Sequence, residues 1–205
     1  MKQFTASQGY GSNSHIEVGE IAVRKHGQMT ETNWYVITGA PSSGKTTLLR
    51  ELEALGYRVI HEVARAFIEM EMEQGRTLER IRADKETFEN QVLHAKMAIE
   101  ERLPKDQVII FDRAIPDSIP YFALAGLDTN GVIAKSPRHR YKKVFVLDRL
   151  PYTKDQARIE NGETASRLDG ALEASYRMLG YEVIRIGVMP VEDRLRFVLQ
   201  EIEKE

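Results

Sequence analysis

The run Gly39-Ala40-Pro41-Ser42-Ser43-Gly44-Lys45-Thr46 fits the spacing G-x-x-x-x-G-K-[ST] at every fixed position. The glycines let the backbone curl until successive N–H groups point inward as an anion-binding nest. Lys45 can set an ammonium against the β- and γ-phosphates of a nucleoside triphosphate, and the Thr46 hydroxyl can reach a magnesium ion that those phosphates share. Ser42 or Ser43 can add a hydroxyl contact. The predicted phosphate-binding set is Gly39, Pro41, Ser42, Ser43, Gly44, Lys45, Thr46 and Thr47.

Other residues of matching chemistry lie downstream. Asp112 follows the apolar run 108–111, where a carboxylate can hold magnesium through its water shell; capping a helix is the plainer use of an aspartate there. Hydrolytic P-loop motors place a glutamate next, to polarise the attacking water. This chain has Arg113, which cannot act as a base but can pair with a phosphate or orient an acceptor hydroxyl. That choice points to transfer onto a bound molecule. Glu62 and Arg65 lie on the same rim, just past a second strand. Glu62 could take a proton from an acceptor and Arg65 could clamp it; an i, i+3 surface ion pair at a helix start is the other reading. The segment 149–163 is polar and cationic, as a lid over the phosphates would be, and Arg158 is the arginine expected to meet charge developing on the transferred group, with Arg149 and Arg167 behind it. A basic connecting loop without a catalytic role would look the same. Residues 129–141 read as a loop with a solvated basic cluster. The five histidines have no metal-ligand spacing, so zinc is not expected.

These groups need a frame that brings them to one rim. Apolar runs at 34–38, 57–61, 108–111, 143–147 and 182–186 read as strands, and the residues between them repeat at helical spacing. Leu48, Leu52 and Leu55 mark a helix that opens at the phosphate loop and aims its N-terminus at the phosphates. Phe88, Val92, Ala95 and Ile99 stripe a long helix over 84–102, and Val191, Leu195, Val198 and Ile202 the last one. Alternating strands and helices imply an α/β fold, with a five-stranded parallel sheet covered by helices on both faces. Ligands in such sheets sit at the strands' carboxyl ends, where the residues above fall.

The 205 residues fit one domain over 34–205, preceded by a flexible or hairpin extension over 1–33. With 42% apolar and 29% charged residues, a soluble globular fold is expected. A formal net charge of -2 offers no general pull toward nucleic acid. The absence of cysteine excludes disulfides and thiolate chemistry. No apolar run is long enough for a membrane span, and a cytoplasmic location is expected.

With the phosphate loop, Phe111-Asp112-Arg113 and Asp155-x-x-Arg158-x-Glu160 in order, the chain resembles a known family. This is the AAA-type P-loop ATPase/kinase domain family that groups the ribosylnicotinamide-kinase domain of NadR with the TRPL translocation defect protein. Matching features are residues 38–47, Gly56-Tyr57, Glu62-Val63-Ala64-Arg65, Pro116-Asp117, Leu179-Gly180-Tyr181 and Pro190-Val191-Glu192-Asp193-Arg194, so the resemblance runs from residue 34 to the end. It implies a P-loop NTPase fold close to the nucleotide kinases, using ATP and magnesium, with the acceptor left open. The expected activity is transfer of the ATP γ-phosphate to a small nucleoside- or nucleotide-like acceptor. Lys45, Asp112 and Arg158 would be catalytic, Thr46 and Asp112 would hold magnesium, and Glu62, Arg65 and Arg113 would bind the acceptor. The alternative is a nucleotide-dependent switch or slow ATPase that binds a protein or lipid partner.

Overall fold

Strict alternation along Trp34-Tyr35-Val36-Ile37 sends side chains to opposite faces of a strand, and both sets are apolar, so both faces must be covered. The computed structural model describes residues 29–151 and 162–204. Its elements are β1 (Thr30–Glu31), β2 (Trp34–Thr38), α1 (Lys45–Ala54), β3 (Arg58–Ile60), α2 (Val63–Glu73), α3 (Leu78–Ala83), α4 (Lys85–Arg102) and β4 (Ile109–Asp112). After these come α5 (Ser118–Leu124), α6 (Asn130–Lys135), β5 (His139–Arg140), β6 (Lys143–Leu147), α7 (Gly162–Met178), β7 (Val183–Ile186) and α8 (Val191–Glu203). Five strands form one parallel sheet in the order β3-β4-β2-β6-β7, with Val36 opposite Phe111 on one side and Val144 on the other. The chain leaves β2 first toward one edge and later toward the other, which opens a crevice at the carboxyl end of β2.

Trp34 and Val36 join Phe111, Val144, Val146 and Tyr176 in the core of one face. Tyr35 and Ile37 join Ile110, Phe145, Leu48, Leu52 and Val198 on the other, under α1 and α8. A smaller core of Leu93, Ile115, Ile119, Phe122 and Val132 unites α4, α5 and α6. No helix among the described residues is long and apolar enough to cross a membrane.

The structure differs from the expectation in three places. Val108 is exposed, and the buried strand runs one residue later so that Asp112 is its last member. Val63, Phe67 and Met70 fall at helical spacing, yet Met70 is exposed in α2. Residues 129–141 are not a solvated loop: they hold α6, a single turn over Ser136–Arg138, and β5, which pairs in parallel with β1. Val132, Ser136, His139 and Tyr141 are buried there, because Val132 completes the small core and Tyr141 stacks among Phe111, Trp34 and Tyr181. Arg158, most of the 149–163 segment and the expected hairpin near residue 15 lie outside the described residues.

Tyr141 donates its hydroxyl to Glu100 Oε1 at 2.6 Å, and both side chains are buried. Burial, reinforced by Glu100, holds the Tyr141 phenol well above its ordinary pKa, so it remains a donor. Tyr141→Phe removes that donor and leaves Glu100 short of one partner; urea titration should read a loss of about 1–3 kcal/mol.

Candidate functional site

The phosphate loop leaves β2 through backbone that few residues adopt. Gly39 has φ 142° and Gly44 φ 83°, and Ser42 takes the left-handed region at 65°. A Cβ on Gly39 would lie 2.6 Å from the Leu147 carbonyl oxygen, so only glycine lets the loop start this close to β6. Gly44 caps α1, whose first turn holds no acid, and the helix N-terminus therefore keeps its partial positive charge. Pro41 is half-buried, whereas Ser42, Thr46 and Thr47 face solvent. Ser43 turns inward instead, and its hydroxyl meets no hydrogen-bond partner among the described residues.

Lys45 Nζ and Arg113 Nη2 both donate to the Gly39 carbonyl, each at 3.0 Å. Burial, and then repulsion from Arg113, lowers the Lys45 ammonium from 10.5 to about 8. Its folded pKa lies below the unfolded one, so charged Lys45 weighs against the fold below about pH 8, and that penalty fades as pH rises toward 10.5.

Arg113 adopts φ 64°, left-handed backbone that is rare outside glycine and clusters at functional sites. This bend turns its guanidinium back under the loop. There Nε lies 3.3 Å from Glu62 Oε1, Nη1 lies 3.5 Å from Asp117 Oδ1, and the group stacks 5.5 Å above the Tyr121 ring. Glu62 begins α2 without capping it, because its carboxylate points to Arg113; Arg65 lies 3.8 Å away and is half exposed. The surface ion pair is thus present, but the closer partner of Glu62 is the buried arginine.

Sequence reasoning gave Asp117 no role of its own. It is 0% exposed and gathers four groups. Thr38 Oγ1 and the Tyr176 hydroxyl donate to it, the Ala114 N–H donates at 2.8 Å, and Arg113 flanks it. Buried Lys96 secures the same turn by donating to the Ala114 carbonyl and to Ser118 Oγ, both at 3.0 Å. Nothing in the pattern of α4 distinguishes Lys96 from a surface lysine; only its tertiary partners do.

Beside the loop opens a cleft of about 370 Å³, lined by Thr46, Arg50, Glu53, His61, Glu62, Arg65, Glu69 and Asp112 among others. Thr46, Asp112, Glu62 and Arg65 therefore share one cavity, which Arg113 adjoins through its contact with Glu62. Burial raises the Asp112 carboxyl above its ordinary pKa against the pull of Lys45. Its Oδ1 is buried and meets no donor among the described residues. An acceptor atom left without a donor, with a threonine hydroxyl on the same cavity, suits an oxygen-seeking cation such as magnesium, which takes one or two protein ligands and draws the rest from phosphate and water. Among the described residues there is no group of three or more His, Cys, Asp or Glu that could hold a metal unaided.

A family model described as an AAA domain matches residues 34–194, most of the chain. The chain belongs to the AAA domain family. Solved structures similar to this AAA domain include deoxyadenosine kinase from M. mycoides with dCMP and dCDP bound, at 18% identity and a TM-score of 0.55, covering 83% of this chain and 98% of that one. The NadR protein in complex with NR matches at 18% identity and a TM-score of 0.61, covering 83% of this chain but 51% of NadR. Thymidylate kinase from Candida albicans matches at 15% identity and a TM-score of 0.50, covering 84% and 92%. These likenesses show the fold, that of the P-loop NTPases. No curated protein matches.

The strained start of the loop can be tested against a control glycine. Gly56 also has positive φ, at 90°, but a Cβ there meets nothing within 4 Å. Gly56→Ala should lose about 1–2 kcal/mol of stability from backbone strain alone, and Gly39→Ala should lose at least about 1 kcal/mol more by urea titration, because the Leu147 carbonyl must also move.

Proposed function

We propose that this AAA domain is a phosphotransferase that moves the γ-phosphate of ATP to a hydroxyl of a small, nucleoside-like molecule. The observation that carries this reading is the Arg113–Glu62 pair at 3.3 Å, facing a cleft that also contains Thr46 and Asp112. A motor needs a base against water at the end of β4. Here an arginine occupies that position and holds a carboxylate over an open cavity instead. In this reading the loop amides, Lys45 and the α1 N-terminus hold the phosphates. Thr46 and Asp112 would hold magnesium, which supplies charge neutralisation between the β- and γ-phosphates. Glu62 takes the proton from the acceptor hydroxyl as that oxygen bonds to the γ-phosphorus. The bond from phosphorus to the β–γ bridging oxygen breaks, and ADP leaves with the electron pair. Arg113 and Arg65 orient the acceptor, and Arg158 is proposed to meet the transferring group from the lid.

The charge of the cleft favours a hydroxyl over a phosphate as acceptor. Glu53, Glu62, Glu69 and Asp112 face Arg50 and Arg65, and His61 is held at 2.7 Å by Glu53. A phosphorylated acceptor would add negative charge to a cavity that already holds more carboxylates than guanidinium groups. The neighbouring folds include enzymes named for nucleoside and nucleotide substrates, which supports an acceptor of that size.

The test is ADP release over a panel of nucleosides, nucleoside monophosphates and sugars. A nucleoside should stimulate release strongly while monophosphates do not. Slow release that no acceptor changes would favour the switch reading instead. Lys45→Ala should lower stimulated turnover by about 100-fold or more with the fold retained; wild-type turnover in that variant would sink the assignment. Because burial lowers the Lys45 ammonium to about 8, calorimetry should find ADP–magnesium affinity flat from about pH 7 up to that value. Above it the affinity should fall by about tenfold per pH unit, and Lys45→Met should abolish the trend.

A further inference from the structure

Arg194 sits in the first turn of α8 and is 3% exposed. Its guanidinium reaches three distant segments at once. Nη1 donates to the Ser43 carbonyl at 2.5 Å, Nε to the Gly187 carbonyl at 3.0 Å, and Nη2 to the Asp148 carbonyl at 3.2 Å. Those oxygens belong to the phosphate loop, to the turn after β7 and to the end of β6. All three are neutral. The acid nearest in its influence is Asp148, and the Asp148 carboxylate is engaged by Arg185. The acids of the α8 first turn do not serve it either, since Asp193 pairs with Arg196 at 2.9 Å. Among the described residues no carboxylate forms an ion pair with Arg194.

A buried charge is ordinarily paired, because desolvation without a counter-charge costs several kcal/mol per ion. A guanidinium cannot shed its proton to escape that cost. Carbonyl dipoles satisfy the donors of Arg194 but leave its charge uncancelled. The charge also has a direct route to the loop. A Cβ on Gly44 would lie 3.3 Å from Nη1, and the hydrogen bond to the Ser43 carbonyl polarises the peptide whose N–H belongs to Gly44, one of the donors of the anion nest.

Resting on the reading of the loop as a polyphosphate site, we infer that Arg194 is a nucleotide-positioning residue. Its guanidinium ties the phosphate loop to the ends of β6 and β7 and lends the loop a buried positive charge that the bound polyphosphate neutralises. The α8 arginine would thereby couple the order of the loop to occupancy, since the charge is balanced only when the anion is present.

Two variants separate the charge from the tether. Arg194→Lys keeps a cation and loses the fork; Arg194→Gln keeps a donor for the Ser43 carbonyl and loses the charge. Affinity for ADP with magnesium is measured by calorimetry over a range of salt concentrations, with the urea midpoint of the free protein as the folding control. Affinity should fall in the order wild type, Lys, Gln, with the Gln variant weaker by about tenfold or more. The salt dependence should flatten in the Gln variant and persist in the Lys variant, a separation that a purely structural role would not produce. If Gln does not fold, Arg194→Met, uncharged and of similar length, is compared with the Lys variant on salt dependence alone, and an equal salt slope in the two overturns the inference. Unchanged affinity in both variants overturns the inference, as does an equal loss in both with an unchanged salt dependence. Absence of ADP binding by the wild-type chain overturns the reading of the loop, and the inference with it; binding by wild type with indifferent variants overturns the inference alone.

Discussion

One carbonyl oxygen, that of Gly39, receives both Lys45 and Arg113. Two buried cations on one neutral acceptor repel each other, and burial first, then that repulsion, lowers the Lys45 ammonium. The arrangement exists because Gly39 packs against the β6 backbone, where no side chain fits, and because Arg113 bends left-handed directly after β4. The sheet register and the loop geometry thus concentrate positive charge at one point. The α1 N-terminus and Arg194 add to it from other directions. Such a concentration of positive charge is unfavourable on its own, and a bound anion would offset it.

The acidic side of the site is organised by Asp117, which has no access to solvent and binds β2 through Thr38, α7 through Tyr176 and the post-β4 turn through Ala114. Through Arg113 it also reaches Glu62. A shift of α7 would therefore be felt at the base of the phosphate loop and at the proposed acceptor carboxylate through a single side chain. Asp169, also on α7, accepts from the Ala40 N–H at 3.5 Å and pairs with Arg185. The helix that follows the segment 152–161 is thus tied to the loop through Asp169 and to Asp117 through Tyr176.

The sheet was legible because its central strands β2, β4 and β6 are buried on both faces and read as apolar runs, whereas the edge strands β3 and β7 carry the exposed Arg58 and Arg185. The phosphate loop was legible because each of its fixed residues answers a backbone or charge requirement. Thr46, Asp112, Glu62 and Arg65 were drawn to one rim by their positions at strand ends, and the cleft contains all four. Residues 129–141 were not legible, since Asn130-Gly131 and Ser136-Pro137 are turn signals and the packing of Val132 against α5 outweighs them. Asp117, Lys96 and Arg194 escaped for a common reason. Each is a charged residue whose burial needs at least one partner far away in the chain: Ala114 for Lys96, Tyr176 for Asp117 and Ser43 for Arg194. Asp117 and Arg194 entered only within stretches matching the resembled family, without a role. The left-handed backbone of Arg113 has no local sequence signal either.

In the proposed reaction the charge gathered at Gly39 and the carboxylate held by Arg113 serve one transfer, from a triphosphate to a hydroxyl in the adjoining cleft. The destination of the phosphate tests it most directly. The chain is incubated with ATP labelled in the γ-phosphate and a pool of nucleosides, and the label is then followed by chromatography. A kinase should place label in an organic phosphate ester, dependent on the nucleosides and lost with Glu62→Gln. Label found only in inorganic phosphate, at a rate indifferent to the nucleosides, would contradict it.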